Sequence, residues 1–187
     1  MTVTDVNGCQ STKFDSNAVF VPGPIADFSV SQTAFCDSGE VQFTDLSTDA
    51  VSWSWTFGDG NASNLQNPTH NFVGNGAFTV ALIVEDSAGC ATSLIMDTLV
   101  HIYETPNAQF IVNDSIGCMP LDVTLTDYSA GADSWFWDMG DGVQYSSIPS
   151  LHTYSNQGTY QVNLVASVSG MCYDTAFKDV QVLDFAD

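Results

Sequence analysis

Histidines, aspartates and cysteines are the residues of this chain whose types and spacing could carry chemistry. A histidine near a carboxylate can transfer protons, grouped carboxylates can hold a divalent cation, and cysteines can form disulfides or bind metal. His70 and His152 recur in the same local pattern, one in each half of the chain. No Ser-His-Asp or Cys-His arrangement, zinc cluster or phosphate-binding loop is present. The sequence therefore predicts a structural role for both histidines and no enzymatic activity.

The chain repeats itself, because a shift of 82 residues overlays it on itself without a gap. The residues that coincide belong to rare types, so chance does not explain the match. Coinciding pairs include Cys36 with Cys118, Trp53 with Trp135, Trp55 with Trp137, Gly58 with Gly140, His70 with His152 and Cys90 with Cys172. The shift predicts two complete units, residues 25–104 and 107–187. Residues 1–24 resemble the end of such a unit and are predicted to be the C-terminal hairpin of a preceding repeat.

Short strands are predicted throughout both units. Segments such as 40–44, 77–84 and 159–166 alternate apolar and polar residues, and turn-forming residues separate them. No segment shows the periodicity of a helix. About seven short strands in a unit of roughly this length are typical of a β-sandwich. The predicted fold is all-β, with two Ig-like sandwiches in tandem after the terminal hairpin of a third repeat.

One motif closes a strand in each unit and is followed by a histidine and a strand that begins with glycine. In the first unit the motif runs from Trp53 to Gly60 and continues to His70 and Gly76. It resembles the PKD (polycystic kidney disease) domain, and the resemblance covers residues 25–187. The motif residues are Trp53, Trp55, Gly58, Asp59, Gly60 and His70, then Trp135, Trp137, Gly140, Asp141, Gly142 and His152.

Each motif residue has a predicted structural role. Trp55 and Trp137 are expected at the aromatic centre of each core. The glycines supply turn conformations, while Asp59 and Asp141 accept hydrogen bonds from turn amides. The two histidines are expected just before a strand, where they fix a loop by hydrogen bonding.

Calcium is the metal that the resemblance implies, because some PKD modules of secreted collagenases bind it near the loop before the tryptophan strand. The matching positions hold Asp45, Asp49, Asp127 and Asp133. No Asp-x-Asp-x-Asp run supplies the usual density of calcium ligands. The predicted fold requires no cofactor.

The cysteines predict disulfides, since five of them occur in an acidic β-protein of exported type. Each unit has one cysteine before its second strand and one at its last hairpin, at opposite poles of the traced sandwich. A nine-residue strand spans about 30 Å, whereas a disulfide needs Cα atoms within about 7 Å. This geometry favours a bridge between units, Cys36 to Cys172. The alternative is pairing inside each unit, Cys36 with Cys90 and Cys118 with Cys172.

The strongly acidic net charge of the chain excludes some classes of binding partner. Only Lys13 and Lys178 oppose 22 acidic residues, so the net charge is −20. A surface this acidic repels nucleic acid and anionic membranes, and no apolar run is long enough for membrane insertion. The beginning of the chain also lacks the apolar stretch of a signal peptide, so an export signal is expected elsewhere.

The function predicted from these features is a non-catalytic repeat of a long secreted or cell-surface protein. The resemblance extends to PKD arrays in giant adhesins of gliding or biofilm-forming Bacteroidetes-type bacteria. It implies an extended stalk that presents adhesive regions, bears tension and contacts neighbouring repeats of its own chain. The alternative is an accessory module of a secreted hydrolase that binds carbohydrate or protein, with surface glycans or proteins as partners.

Overall fold

The computed structural model describes residues 2–4, 10–12, 23–149 and 151–184. The chain divides into two compact units, Met1–Ile102 and Tyr103–Asp187. Within the described residues, no helix is long and apolar enough to cross a membrane. Each unit contains a β-sandwich, which confirms the predicted fold of two Ig-like sandwiches in tandem.

The sandwich of the first unit has eight strands in two sheets. The strands are β3 (Phe28–Val30), β4 (Ala34–Cys36), β5 (Ser38–Asp45), β6 (Ser52–Thr56), β7 (Ala62–Ser63), β8 (Thr69–Val73), β9 (Gly76–Glu85) and β10 (Ala91–Tyr103). One sheet has the order β3-β5-β8, and the other has the order β4-β10-β9-β6-β7. Every second residue of β5 and β6 faces the space between the sheets, as the alternating burial of their side chains shows.

The second unit repeats this arrangement. Its strands are β11 (Phe110–Asn113), β12 (Ile116–Cys118), β13 (Leu121–Asp127), β14 (Ser134–Asp138), β15 (Gln144–Tyr145), β16 (His152–Tyr154), β17 (Gly158–Val168) and β18 (Cys172–Leu183). The sheet orders are β11-β13-β16 and β12-β18-β17-β14-β15. In the larger sheet the edge strand β12 runs parallel to β18, with Cys118 opposite Leu183.

A separate two-stranded sheet is formed by β1 (Thr2–Thr4) and β2 (Gln10–Thr12), which pair antiparallel. Thr4 lies opposite Gln10, as Glu85 lies opposite Ala91 in the last hairpin of the first unit. Glu85 follows Thr4 by 81 residues, and Ala91 follows Gln10 by the same number, so the two hairpins have the same register. The rest of the hairpin predicted for residues 1–24, apart from residues 23 and 24, lies outside the described residues.

The cores are organised around two tryptophans that are completely buried, Trp55 and Trp137. The Trp55 ring lies 5.1 Å from that of Phe28 and 5.4 Å from that of Phe43, in edge-on or tilted contact. In the second core, the ring of Phe110 contacts Trp137 edge-on at 5.1 Å. These contacts join the two sheets of each sandwich, because the tryptophans come from one sheet and the phenylalanines from the other.

The last strand of the first unit departs from the gapless repeat. Between Met96 and Val100 the pairing of β10 with β9 shifts register, so β10 has two more residues there than its partner. Thr98 takes a positive φ of 49° inside this bulge. In the second unit β17 and β18 pair without a shift. The offset of 82 residues therefore becomes 80 beyond the bulge, and the predicted gapless overlay is wrong there.

Trp55→Ala is expected to lower the free energy of unfolding of the first sandwich by about 3–5 kcal/mol, because it leaves a cavity between the two sheets. Ser54→Ala is the matched control, since Ser54 is exposed on the outer face of the same strand. Its effect is expected within about 0.5 kcal/mol. Urea unfolding followed by tryptophan fluorescence and circular dichroism measures both. Equal losses for the two variants would contradict the central role of Trp55.

Candidate functional site

The motif of the first unit forms a tight turn directly after β6. The turn is closed by the Phe57 amide, which donates to the Asn61 carbonyl oxygen at 3.2 Å. Gly58 and Gly60 both have positive φ, 80° and 91°. A Cβ on Gly58 would lie 2.5 Å from the Thr79 carbonyl oxygen, whereas one on Gly60 would meet nothing within 4 Å. Gly58 is therefore required both by conformation and by the close approach of β9.

The turn carboxylate joins the two sheets. Asp59 follows β6 of the larger sheet, and His70 belongs to β8 of the smaller one. His70 Nε2 donates to Asp59 Oδ2 at 2.7 Å. The imidazole also stacks on Phe57 at 4.2 Å and contacts Phe72 edge-on at 4.7 Å. The histidine thus lies inside a strand, not before one as predicted, and its hydrogen bond ties that strand to the turn.

The hydrogen-bonding capacity of Asp59 is used within the motif. The Asn61 amide donates to Asp59 Oδ1, and the Asn61 side chain donates to Oδ2, both at 3.0 Å. Burial alone would raise the pKa of Asp59, but the hydrogen bonds from Asn61 and His70 outweigh it and hold this pKa below its ordinary value. The arrangement favours the ionised form of the Asp59 carboxylate, which fixes the turn.

The second unit builds the same pair with a tyrosine added. His152 Nε2 donates to Asp141 Oδ2 at 3.0 Å, and the Val143 amide donates to Asp141 Oδ1 at 3.0 Å. The Tyr145 hydroxyl lies 3.2 Å from His152 Nδ1. In a neutral imidazole whose Nε2 carries the proton, Nδ1 accepts from the Tyr145 hydroxyl. The His152 side chain is only 5% exposed, so all of its polar atoms are satisfied inside the fold.

A second tyrosine, Tyr154, is fully buried next to this site. Tyr154 occupies the position of Phe72 in the first unit, and its hydroxyl donates to the Met139 carbonyl oxygen at 2.7 Å. Its ring stacks on Tyr160 at 4.4 Å. Burial, with a smaller effect from the charge of Asp141, raises the pKa of Tyr154 well above its usual range. The hydroxyl therefore stays protonated and remains a hydrogen-bond donor.

Asp45, one of the four predicted calcium ligands, accepts hydrogen bonds from three neighbouring residues. Its Oδ2 accepts from Trp53 Nε1 at 2.7 Å and from Gln66 Nε2 at 2.9 Å, and its Oδ1 accepts from the Ser47 amide at 3.0 Å. Burial would raise the pKa of Asp45, but these hydrogen bonds hold it below its ordinary value. Asp45 anchors the outer tryptophan of the motif, a role that the sequence spacing did not indicate.

The other predicted calcium ligands are also engaged in local structure. Asp127 Oδ1 accepts from the Ser129 amide, and Asp133 Oδ2 accepts from the Ser169 amide, both at 2.9 Å. Asp49 has a positive φ of 59° in the loop before β6. Among the described residues that were searched, no group of three or more His, Cys, Asp or Glu side chains could hold a metal ion. Calcium binding at these four aspartates stays a prediction.

Three of the described cysteines, Cys36, Cys90 and Cys172, are disulfide-bonded. Cys118 carries an exposed free thiol. The predicted alternative pair Cys118–Cys172 is therefore wrong. Its physical obstacle is the length of β18, because Cys172 begins this strand and Cys118 lies opposite Leu183 at its end.

The same obstacle excludes the pair Cys36–Cys90 in the first unit. The His101 amide donates to the Thr33 carbonyl oxygen at 2.8 Å, so the segment leading to Cys36 lies near the end of β10. Cys90 precedes the first residue of that strand, roughly 35 Å from His101 along an extended chain. The three residues from Thr33 to Cys36 cover at most about 10 Å. A disulfide, which needs about 7 Å between Cα atoms, cannot close this distance.

An exposed aromatic face lies on the outside of the larger sheet in the second unit. Phe136 of β14 is paired through Val165 with Thr175 of β18, and Tyr173 and Phe177 flank Thr175 on the same face. The three aromatic residues are 43%, 67% and 64% exposed. The outward position of Phe136 was predicted from its place between two inward tryptophans. Its two aromatic neighbours depend on the pairing of β17 with β18, which the sequence does not show.

The two motif glycines provide a matched pair of variants. Gly58→Ala is expected to lower the free energy of unfolding by about 1–2 kcal/mol from its positive φ and further from the clash with Thr79. Gly60→Ala carries the conformational cost without the clash. Urea midpoints of both variants measure the difference. A Gly60→Ala loss as large as that of Gly58→Ala would contradict the close approach of β9.

The depressed pKa of Asp59 predicts a pH-dependent stability. Because its folded pKa lies below the unfolded value of about 3.9, the stabilisation from Asp59 is present above that value and is lost as pH falls through the folded pKa. The difference in unfolding free energy between the wild type and Asp59→Asn is therefore expected to be constant above about pH 5 and to shrink in acid. Urea unfolding from about two pH units below the unfolded pKa to about three units above it measures this difference.

Gly60→Ala serves as the control for this pH series, because neither residue titrates. Its difference from the wild type is expected to stay constant over the same range. If the Asp59→Asn difference is equally flat, the carboxylate of Asp59 does not contribute through its charge.

Comparison with known proteins identifies the family to which the sequence of this chain is similar. The family model of the PKD domain matches residues 22–102 and 103–182. The PKD1 domain of Vibrio anguillarum Epp is 27% identical, over 43% of this chain and 96% of that domain, with a TM-score of 0.38. A Methanosarcina mazei protein solved by NMR is 35% identical over 43% of this chain, with a TM-score of 0.37, and the match spans 55% of that protein.

A similar fold recurs in murine CEACAM1b, which is 9% identical over 86% of this chain and 100% of its own, with a TM-score of 0.54. PKD-type domains are generally non-catalytic structural modules and are typically extracellular. Disulfide-bonded cysteines fit such an oxidising environment. Because the family model matches two consecutive stretches that cover most of the chain, and each stretch is an Ig-like sandwich, the chain belongs to the PKD domain family.

Proposed function

We propose that this chain is a structural and adhesive repeat of a long secreted or cell-surface protein, where it acts as an extended, tension-bearing stalk. The observation that carries the proposal is the placement of cysteines at opposite ends of one sandwich. Cys36 and Cys90 are both disulfide-bonded, yet the length of β10 keeps them from reaching each other. Each bond therefore connects the sandwich of residues 23–102 to a segment outside it.

The proposed partner of Cys36 is Cys172. Both are disulfide-bonded, and Cys118 does not compete because its thiol is free. Cys172 lies at the last hairpin of the second unit, where it pairs across the strands with Val168. A bridge between these two cysteines links successive repeats covalently, beside the peptide chain itself.

The connection along the chain supports a stiff stalk. After β10 ends at Tyr103, only residues 104–106 precede Asn107, which is already paired with Ala130 in the second unit. Pro106 is buried in this connection. A short linker that contains proline restricts rotation between the elements it joins.

The pairing of the edge strand in the second unit resists a pulling force applied along the chain. In the second unit β12 runs parallel to β18, and the pairing is extended by bonds from the Gln181 amide to Ser115 and from the Met119 amide to Leu183. Pulling the early strand and the late strand of the unit in opposite directions shears this ladder. All of its hydrogen bonds then resist together, whereas peeling would break them one at a time.

The test combines disulfide mapping with solution scattering. A non-reducing digest at acidic residues is expected to yield a linked peptide containing Cys36 and Cys172. The double variant Cys36→Ser, Cys172→Ser is expected to give a broader distribution of maximum dimensions than the wild type, because the covalent bridge is lost. Cys118→Ser is the control and is expected to scatter as the wild type does. A stalk function fails if wild type and double variant are equally flexible.

Glycan binding is the second candidate, and the aromatic face of the second unit favours it. Phe136, Tyr173 and Phe177 lie on one face of β14 and β18, beside hydroxyl and amide side chains of β17 such as those of Ser167 and Asn163. Exposed apolar patches of this kind mark interaction sites. A net charge of −20 disfavours an anionic ligand, so the ligand that fits is a neutral polysaccharide.

Binding of the chain to an insoluble neutral β-glucan measures this candidate. Tyr173→Ala with Phe177→Ala is expected to weaken retention roughly thirtyfold, as the loss of two aromatic contacts of about 1 kcal/mol each predicts. The matched control is Ile83→Ala with Ile95→Ala, which removes exposed apolar side chains from the equivalent face of the first unit. Equal retention of all three proteins would rule out the aromatic face as the binding site.

A further inference from the structure

The free thiol of Cys118 stands at one end of the second unit. Cys118 ends the edge strand β12 and lies opposite Leu183, near the end of the last strand. Its thiol is exposed. Nothing in the pairing of β12 with β18 uses the sulfur, so the side chain is available to a reagent approaching this end of the sandwich.

The equivalent cysteine of the first unit is already bonded. Cys36 ends β4, which holds the same edge position next to the last strand of its own sheet. The two backbones also match in detail, since His101 donates to Thr33 as Gln181 donates to Ser115, each at 2.8 Å. One sheet position thus holds a disulfide in the first unit and a free thiol in the second.

The surroundings of Cys118 form an exposed, partly apolar surface. Ile116 is 63% exposed and Leu183 is 41% exposed, on the two strands that carry and face the cysteine. An open groove adjoins Leu183. It is lined by Gln157, Gly158, Thr159, Gln181, Val182, Leu183 and Asp184. This end of the sandwich therefore offers an exposed thiol and, beside Leu183, a shallow groove.

We propose that this end of the second unit is a docking and disulfide-forming site for the last hairpin of a further module of the same kind. The inference rests on the proposed function, because it assigns to Cys118 the bridge proposed for Cys36. The partner group is a cysteine at the position of Cys172. The hairpin that carries it also fits the surface chemically, since its Met171 and Tyr173 are exposed apolar side chains.

The reaction is a pair of thiol–disulfide exchanges with a small-molecule disulfide such as oxidised glutathione as the oxidant. The Cys118 thiolate attacks one sulfur of the oxidant and releases one glutathione thiolate, leaving a mixed disulfide. The thiolate of the partner cysteine then attacks the Cys118 sulfur and releases the second glutathione. Two thiols are oxidised to one disulfide, two protons leave them, and the oxidant is reduced to two thiols.

An extended chain tests the proposal: residues 1–183 followed directly by a second copy of residues 104–187. This junction keeps the native connection 104–106 after Leu183, which takes the place of Tyr103. After folding with oxidised glutathione, a digest at acidic residues is expected to give a linked peptide containing Cys118 and Cys172. Its matched variant is Cys118→Ser in the first copy. The extended chain is expected to show one reactive thiol fewer than this variant, although it has one more cysteine.

The outcomes separate the two proposals. If the peptide linking Cys36 to Cys172 forms while Cys118 stays reactive, the extended chain has folded and the docking site at Cys118 is overturned alone. In that case the extended chain shows one reactive thiol more than its variant. If neither linked peptide forms, the bridge between repeats and the site at Cys118 are both overturned.

Discussion

Burial of one tryptophan between two sheets is the constraint on which each sandwich depends. Trp55 and Trp137 are fully enclosed, and each touches a phenylalanine that comes from the facing sheet. The strand that carries the tryptophan must therefore run through the middle of the core, and its end fixes where the motif turn lies. The hydrogen bond between the histidine and the aspartate then links the two sheets beside that turn. The hydrogen bonds of this histidine and this aspartate are made within the fold, so the pair stabilises the sandwich.

The two sandwiches reach this arrangement with different side chains. The first core is rich in phenylalanine, while the second replaces Phe72 by Tyr154, whose hydroxyl needs the Met139 carbonyl oxygen as a partner. Trp53 and Trp55 donate to Asp45 and to the Leu65 carbonyl oxygen. Among the described residues of the second unit, the indole nitrogens of Trp135 and Trp137 are buried without a partner. The two repeats therefore share the packing of their cores, whereas only the first repeat provides hydrogen-bond acceptors for both indole nitrogens.

Much of the fold follows from local patterns, and the rest depends on pairing that local patterns do not contain. Alternation of apolar residues predicts the inward side of Trp55, and glycine spacing predicts the turn after it. The contact of Asp59 with His70 joins residues on different sheets, so strand order decides it. Thr98 accommodates a bulge without the glycine that usually marks one. The hydrogen bonds that the Asp45 carboxylate accepts from Trp53 and Gln66 also depend on how the loops fold, so the sequence spacing does not indicate them.

The long last strand of each unit determines where the cysteines lie and which of them can pair. In the first unit, the segment before Cys36 is hydrogen-bonded near the end of β10, and the chain leaves the sandwich at the end of that same strand. A disulfide from Cys36 and the peptide linker therefore depart from neighbouring strands. Two connections that leave side by side oppose a hinge, because bending about one of them stretches the other. In the proposed stalk, a bridge at Cys36 therefore opposes bending between repeats, and the free thiol of Cys118 holds the equivalent position for a further repeat.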